Sequence, residues 1–195
     1  NRITNIGTPT QATDSVTKAY VDGVKQALDI KDSVRIASQS NLSAAYNNGT
    51  SGVGATLTAD GNGAVTIDSV ALTSGDRVLV KAQTAGLQNG IYSVTTVGDV
   101  SNPYVLTRAT DADSSSEVTG GMFTFVEEGS DADAGFVLSN ITGSATIGTS
   151  VITMTQFSGA GSVTAGNGLA KSGNTLSLNV DDTTIEINSD TARLK

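Results

Sequence analysis

The chain has 195 residues and a formal net charge of −8, and it contains no Cys, no His and no Trp. Without Cys and His there are no disulfides, thiol nucleophiles or Ser-His triads, and nearly every zinc or copper site is excluded. The 11 basic residues are scattered through the sequence rather than clustered, so we expect no nucleic-acid partner.

Threonine and serine dominate the composition, with 27 and 22 residues, beside 22 Gly and only 2 Pro. Such hydroxyl-rich sequence, punctuated by glycine, suits antiparallel strands with one solvated face. Hydrophobic residues make up 37% of the chain and aromatics 4%, which is a thin core for a lone monomer. We therefore expect identical subunits to share burial. No run of 18 apolar residues occurs, and we expect no membrane insertion.

Residues 1–30 predict a polar linker followed by one helix that ends near Leu28. Within this helix, residues at spacings of four, three and four form a coiled-coil seam: Thr17, Val21, Val24 and Leu28. Two interpretations follow. The helix packs on the domain that comes after it, or it forms a short trimeric or dimeric coil that aligns identical chains, with Val21, Val24 and Leu28 in the subunit seam.

Residues 31–159 predict β-structure throughout. The predicted strands are short apolar or alternating runs bounded by turn residues, at 34–37, 55–58, 65–67, 77–81, 91–96, 104–109, 122–127, 136–138 and 151–157. Strands of this number and spacing predict an antiparallel β-sandwich or barrel. Four Asn-Gly steps predict type I′ turns, at Asn48-Gly49, Asn62-Gly63, Asn89-Gly90 and Asn167-Gly168.

The aromatic residues of this module lie mostly within predicted strands, so we expect them to pack in the core. Residues 38–53 are polar and without periodicity, which predicts a long exposed loop. Tyr46 lies in that loop and is therefore the one candidate for stacking on a saccharide.

Two Asp-x-Asp pairs, Asp111 with Asp113 and Asp131 with Asp133, are candidates for binding calcium through their carboxylate oxygens. Neither pair belongs to a complete calcium-binding loop, and turn carboxylates exposed to solvent are the favoured interpretation. Carboxylate pairs alone do not indicate a glycosidase. We expect no catalytic residue, no bound metal and no cofactor.

Residues 160–195 repeat a short alternating unit: 175–179, then 184–188, then 191–195. Each unit has apolar residues two positions apart, too few to bury a core within one chain, so such units are stabilised by stacking on copies of themselves. The candidate seam residues here are Leu176, Leu178, Ile185, Ile187 and Leu194. The alternatives are the start of a β-stranded fibre shaft and a plain C-terminal hairpin. The sequence begins at Asn1 without a Met or an apolar signal segment and ends at Lys195 within an alternating pattern, so we expect an internal piece of a longer protein.

Several motifs, taken together and in this order, resemble those of bacteriophage tail-fibre proteins. The helical segment contains Asp14-Ser15-Val16-Thr17-Lys18-Ala19-Tyr20-Val21-Asp22. The β module contains Ser74-Gly75-Asp76-Arg77-Val78-Leu79-Val80-Lys81, Asn89-Gly90-Ile91-Tyr92, Leu106-Thr107-Arg108-Ala109-Thr110-Asp111-Ala112-Asp113 and Gly120-Gly121-Met122-Phe123-Thr124-Phe125-Val126-Glu127-Glu128-Gly129.

The resemblance implies an intertwined homotrimer that is part of a virion and projects toward the host surface. In such fibres the receptor-binding tip lies far toward the C-terminus, so this chain would be a spacer or attachment segment, with other tail or baseplate proteins as partners. Two alternatives stay open. One is a carbohydrate-binding module that recognises host surface glycan directly, and the other is a bacterial trimeric adhesin.

Overall fold

The structure, a computed structural model, describes residues 29–158 without a gap. Beyond them it describes residues 7, 9–11, 15–17, 165–166, 168–172, 175–178, 185–188 and 191–194. The predicted seam residues Val21, Val24 and Leu28 lie outside the described residues. The described part of the chain is β-structure with two single-turn 3₁₀ helices, Gly86–Gln88 and Gly129–Asp131. Neither helix is long and apolar enough to cross a membrane.

The strands follow one another along the chain, and every strand predicted for the module overlaps one of them. Those of the module are β1 (Ile36–Ala37), β2 (Ala44–Asn47), β3 (Thr56–Ala59), β4 (Thr66–Ile67), β5 (Val70–Ala71), β6 (Arg77–Val80), β7 (Gly90–Thr96), β8 (Val105–Arg108), β9 (Phe123–Phe125), β10 (Gly135–Leu138) and β11 (Met154–Gln156). Of these, β2 and β5 were not predicted. Two hairpins follow, made of β12 (Leu169–Ser172) with β13 (Thr175–Leu178) and of β14 (Ile185–Asn188) with β15 (Thr191–Leu194). The chain is thus mainly β, as predicted.

Two sheets make up most of the module. The larger has six strands in the order β1-β6-β7-β8-β3-β2, and the smaller has three in the order β11-β10-β9. Their neighbours are antiparallel except for β1 and β6, which run parallel. The predicted module was purely antiparallel, and the parallel pair corrects that. No sheet of the described residues closes on itself, so the barrel alternative is wrong.

Residues 30–38 join the two sheets, because their backbone pairs with β9 first and with β6 afterwards. Two parallel bridges, Ile30 with Phe123 and Val34 with Val126, connect this stretch to the smaller sheet before β1 continues along β6. Since β11 also runs in the direction of β9, the chain enters the smaller sheet at one end of its strands and leaves it at the other.

The larger sheet is buried on both faces at β1, at β6 and in the first half of β7, whereas β8 and β3 are buried, and β2 is half-buried, on one face only. One face packs against the smaller sheet, and this layer of the core includes Leu79, Ile91, Met122, Phe136, Leu138 and Ile152. The other face is covered by the β4–β5 hairpin, and its layer includes Ile36, Leu57, Ile67, Val78, Val80 and Leu106. Each fully buried Leu, Ile or Phe contributes about 1.5–3 kcal/mol of hydrophobic stabilisation. Burial on both faces explains why β6 is an uninterrupted apolar run after Arg77.

Residues 38–53 do not form one long exposed loop, and that prediction is wrong. They contain β2, which pairs antiparallel with β3 from Ala44 opposite Ala59 to Asn47 opposite Thr56. The half-buried positions of β2 are Ala44 and Tyr46, two weakly hydrophobic residues on one side of a four-residue strand. So short and polar a strand carries little sequence signal, and it forms because β3 offers it a free edge.

The Asn-Gly steps do not form the predicted type I′ turns within residues 29–158. That turn needs positive φ at both central residues, and none of Asn48, Asn62 and Asn89 has it. Asn167 lies outside the described residues. The hairpin of β4 and β5 is turned instead by Asp68-Ser69, whose φ angles are 48° and 65°.

Replacing Ser69 by Gly should stabilise the protein by roughly 0.5–1 kcal/mol, because Gly adopts positive φ without the steric cost that a side chain brings. Ser69 is exposed and its neighbour Asp68 keeps its hydrogen bonds to Ser130. Urea unfolding followed by circular dichroism measures the change. Ser74→Gly, at an exposed serine without positive φ, is the matched control and should destabilise slightly. Equal losses in both variants would contradict the turn assignment.

Candidate functional site

Arg108, in β8, is the largest of the fully buried side chains of the module. Its Nη2 donates to the carbonyl oxygen of Asn89 and to Tyr92 Oη, both at 3.1 Å. The guanidinium carbon lies 4.9 Å from the centre of the Tyr92 ring, the cross-strand neighbour of Arg108 in β7. Hydrogen bonds from Nη2 and a cation–π contact thus hold the charge inside the core, while the buried Nε and Nη1 have no hydrogen-bond partner.

Tyr92 is a neutral hydrogen-bonding group rather than an acid. Burial raises the pKa of its phenol far above the usual value, and the charge of Arg108 offsets only part of that rise. Its hydroxyl donates to the carbonyl oxygen of Gln88 at 2.6 Å while it accepts from Arg108. Both roles of the hydroxyl are therefore structural.

Gly90 leaves the space that the Arg108 guanidinium occupies. A Cβ atom at this position would lie 2.1 Å from Arg108 Nη1, and the φ of Gly90 is 148°. Asn89, just before it, accepts a hydrogen bond from the Gln83 amide and donates one to the carbonyl of Ile152, each at 2.9 Å. The Asn-Gly step therefore encloses a buried arginine and anchors two loops.

Asp111 is held by Arg77 in a two-pronged ion pair. The distances are 3.1 Å from Nη1 to Oδ1 and 2.9 Å from Nη2 to Oδ2. Arg77 Nε also donates to the carbonyl of Ser33 at 3.2 Å, so this pair ties the end of β8 to the stretch that joins the sheets. Paired, fork-to-fork geometry of this kind is the stronger form of ion pair.

Asp113 is buried beside Glu117. Burial raises the pKa of Asp113, and the charge of Glu117 raises it further. Glu117 Oε2 in turn accepts from the amide and the hydroxyl of Ser114, at 3.1 and 2.8 Å. The first Asp-x-Asp pair thus consists of one ion-paired and one buried carboxylate, and the prediction that both are solvated is wrong.

The second pair consists of one ion-paired and one exposed carboxylate. Asp131 accepts from Gln39 Nε2 at 2.6 Å and lies 3.2 Å from Lys81 Nζ, whereas Asp133 is exposed. Only Asp133 fits the predicted solvated turn carboxylate. No group of three or more acidic side chains converges within the described residues in a way that could hold a metal ion.

All the basic residues of 29–158 form ion pairs within the module or are buried in its core. Lys31 pairs with Asp29 at 2.7 Å, and Arg35 bridges Asp76 at 2.7 Å and Glu128 at 3.2 Å. The others are Arg77, Lys81 and the buried Arg108. Burial raises the pKa of Asp76, but hydrogen bonds from Thr73 and Arg35 outweigh it and the net shift is downward. The two ion pairs of Arg35 join the 30–38 stretch to both sheets.

Tyr46 lies on β2, not in an exposed loop. Its ring is half-buried against the core layer under the β4–β5 hairpin, and its hydroxyl donates to Asn48 Oδ1 at 2.7 Å. Saccharide contact at Tyr46 stays a prediction. The half-buried ring offers a ligand less surface than a loop residue would.

Three phenylalanines form a cluster on the outer face of the smaller sheet, which we call the aromatic face: Phe123, Phe125 and Phe157. Their ring centres lie 5.7–6.1 Å apart, and each pair is edge-to-face. Phe125 is 44% and Phe157 49% exposed. Gly135 makes room for the Phe157 ring, because a Cβ atom there would lie 2.6 Å from it. The prediction that these rings pack in the core is wrong.

The sequence does carry a signal for this face. Residues 122–126 read Met-Phe-Thr-Phe-Val, and Met122, Thr124 and Val126 point into the core while Phe123 and Phe125 point out. A strand that is apolar on both faces is typical of one that is covered on both. The run in β10, Gly-Phe-Val-Leu, has the same character.

The C-terminal hairpins repeat at a spacing of sixteen residues, from Leu169 to Ile185 and from Thr175 to Thr191. In the first, Leu169 is opposite Leu178 and Lys171 is opposite Leu176, so the three leucines share one face, and all three are exposed. In the second, Ile185 is opposite Leu194 and Ile187 is opposite Ala192.

No family model, no curated protein and no solved structure matches this chain.

Replacing Gly90 by Ala should cost about 3 kcal/mol or more, because the new methyl group meets the Arg108 guanidinium in a closely packed layer. Gly121→Ala is the control, since Gly121 also has positive φ, 88°, but nothing lies within 4 Å of its Cβ position. Urea unfolding measures both. Similar costs for the two variants would show that only backbone strain matters at Gly90.

Asp113→Asn should remove a pH dependence of stability. Because the folded-state pKa of Asp113 is raised, the folded protein binds more protons above the ordinary carboxyl range, and stability falls as pH rises through that window. Asp76, with its lowered pKa, acts oppositely and only below that range. Melting temperatures between pH 3 and 7 check this. Asp133→Asn removes the same charge at an exposed site and should leave the dependence intact.

Proposed function

We propose that this chain is a segment of a homotrimeric bacteriophage tail fibre, a spacer that carries a receptor-binding tip toward the host surface. The observation that carries this proposal is the pair of C-terminal hairpins. Each is a two-stranded sheet, and the first exposes Leu169, Leu176 and Leu178 on one face. An isolated two-stranded sheet is marginal in water, and a row of leucines on it needs a partner.

Symmetric stacking of identical hairpins meets this need, because three copies bury one another's apolar faces around a common axis. The sixteen-residue repeat continues the same arrangement along that axis, and we place Ile185, Ile187 and Leu194 in it. Val21, Val24 and Leu28 would form the seam at the N-terminal side. The resemblance of the motifs to tail-fibre sequences supports a location in the virion. The chain would then be extracellular when it acts, with other tail or baseplate proteins as partners.

The module itself is suited to a spacer. Its motif residues form ion pairs and buried hydrogen bonds that stiffen one compact unit, as with Arg77 and Asp111 or Arg108 and Tyr92. We therefore assign the motifs to the architecture of the fibre and propose no enzymatic activity.

Sedimentation equilibrium of the full chain should give three times the chain mass of 19.6 kDa. Leu176→Asp with Leu178→Asp should weaken the trimer, because three pairs of carboxylates would be buried together. Val24→Asp with Leu28→Asp should do the same from the other side. Circular dichroism should show the β signal of residues 29–158 unchanged, since their core is separate.

The matched control is Ser177→Asp, at the exposed position between the two leucines on the opposite face of β13. It should leave the trimer intact. A monomer of the wild-type chain at all concentrations would overturn the proposal. Binding of a saccharide on a glycan array, by a chain that stays monomeric, would favour a carbohydrate-binding module instead.

A further inference from the structure

The aromatic face lies between the two points where the module connects to the rest of the chain. At the N-terminal side the amide of Phe123 donates to the carbonyl of Asp29 at 2.9 Å, and Ile30, next to it, is 60% exposed. At the C-terminal side the Phe157 amide donates to the carbonyl of Gly135, also at 2.9 Å. Residues 1–28 and 159–195 therefore attach at opposite ends of the strands that carry this face.

The three strands of this face carry no charge at their outward positions, and the exposed Glu127 lies beyond the end of β9, two residues after Phe125. The outward positions of its three strands are Phe123, Phe125, Gly135, Val137 and Thr155, with Phe157 following β11. This chain carries a net charge of −8, so two copies repel over most of their surface. Identical acidic chains associate most readily where no carboxylate faces its own symmetry mate.

We infer that the aromatic face is the contact surface between copies of this chain, where three copies bring Phe123, Phe125 and Phe157 together around the fibre axis. The inference rests on the proposed trimer and names the face of the module that turns inward. Both stretches assigned to the axis, the seam of residues 21–28 and the leucine face of β12–β13, attach at the ends of this face. An axis that passes through both connections runs along the strands of the smaller sheet and past the exposed rings.

The chemistry of the face fits a copy of itself better than a free surface. Phe125 and Phe157 leave about half of their area in water, and exposed apolar patches of this kind mark association sites. Three sets of edge-to-face rings can interdigitate around a three-fold axis without an unsatisfied polar group, because the sheet satisfies its own backbone. Thr155 is the single hydroxyl at the outward positions of these strands, and it lies in β11 at the edge of the sheet.

A single cysteine tests the geometry, since the chain has none of its own. In Phe125→Cys, mild oxidation should link two chains and give a dimer band on a non-reducing denaturing gel. Val100→Cys is the control, because Val100 is 94% exposed on the β7–β8 loop, outside the smaller sheet. It should give no dimer band at the same concentration.

A second variant tests the energetics. Phe125→Asp should raise the concentration at which the trimer dissociates by about tenfold or more, because three carboxylates would meet at the axis. Val100→Asp, with the same added charge, should leave it unchanged. Circular dichroism should show an intact module in both variants, since Phe125 lies outside both layers of the core.

The outcomes separate this inference from the proposed function. A wild-type monomer would overturn both. A trimer that survives Phe125→Asp and gives no crosslink through Phe125→Cys would overturn the inference alone. In a Val21→Cys, Phe125→Cys double variant, a bridge confined to one chain would show that the chain's own residues 17–28 cover the face, and this too would overturn it.

Discussion

The two sheets of the module are held in place by one stretch of backbone, residues 30–38, which pairs with β9 and then with β6. The same stretch of backbone is hydrogen-bonded to both sheets, so neither sheet can shift relative to the other without breaking main-chain hydrogen bonds. The core between the sheets, with Phe136 and Ile152, fills the space that this geometry sets. The parallel pairing is thus the constraint on which the packing depends.

The charged residues reinforce the same junction. Arg35 lies in the joining stretch and reaches Asp76 beside β6 and Glu128 beyond β9. Arg77 reaches back to the carbonyl of Ser33 while it holds Asp111. The basic side chains of residues 29–158 are thus all engaged in ion pairs or buried within the module. A net negative charge of this kind favours solubility and would make copies of the chain repel one another over most of their surface.

The strands could be predicted from the sequence because alternation and apolar runs report burial directly. The mainly β class followed from them. The turns could not be assigned in this way, because Asn-Gly and Asp-Ser both tolerate positive φ, and which of them turns a hairpin is decided by strand register. Tyr46 was misplaced for a related reason: its strand exists only because β3 has an open edge.

The candidate site was harder to predict than the fold. From the sequence alone, Arg108 would be expected at the surface. Its burial depends on Gly90 and Tyr92, which are distant in sequence and become its neighbours only through the pairing of β7 with β8. The aromatic face was taken for core because Phe123 and Phe125 sit in a strand with two apolar faces. Sequence shows that both faces are apolar, but not which one meets the larger sheet.

The path of the chain through the module has a mechanical consequence. Tension along a fibre would enter at Asp29 and leave at Ser158, at opposite ends of strands that run in the same direction. Such a load shears the hydrogen bonds of the smaller sheet together instead of unzipping them one by one, and forced unfolding is governed by the rate of that collective step. The six-stranded sheet would share this load through β1, which continues the stretch of residues 30–34 and pairs with β6.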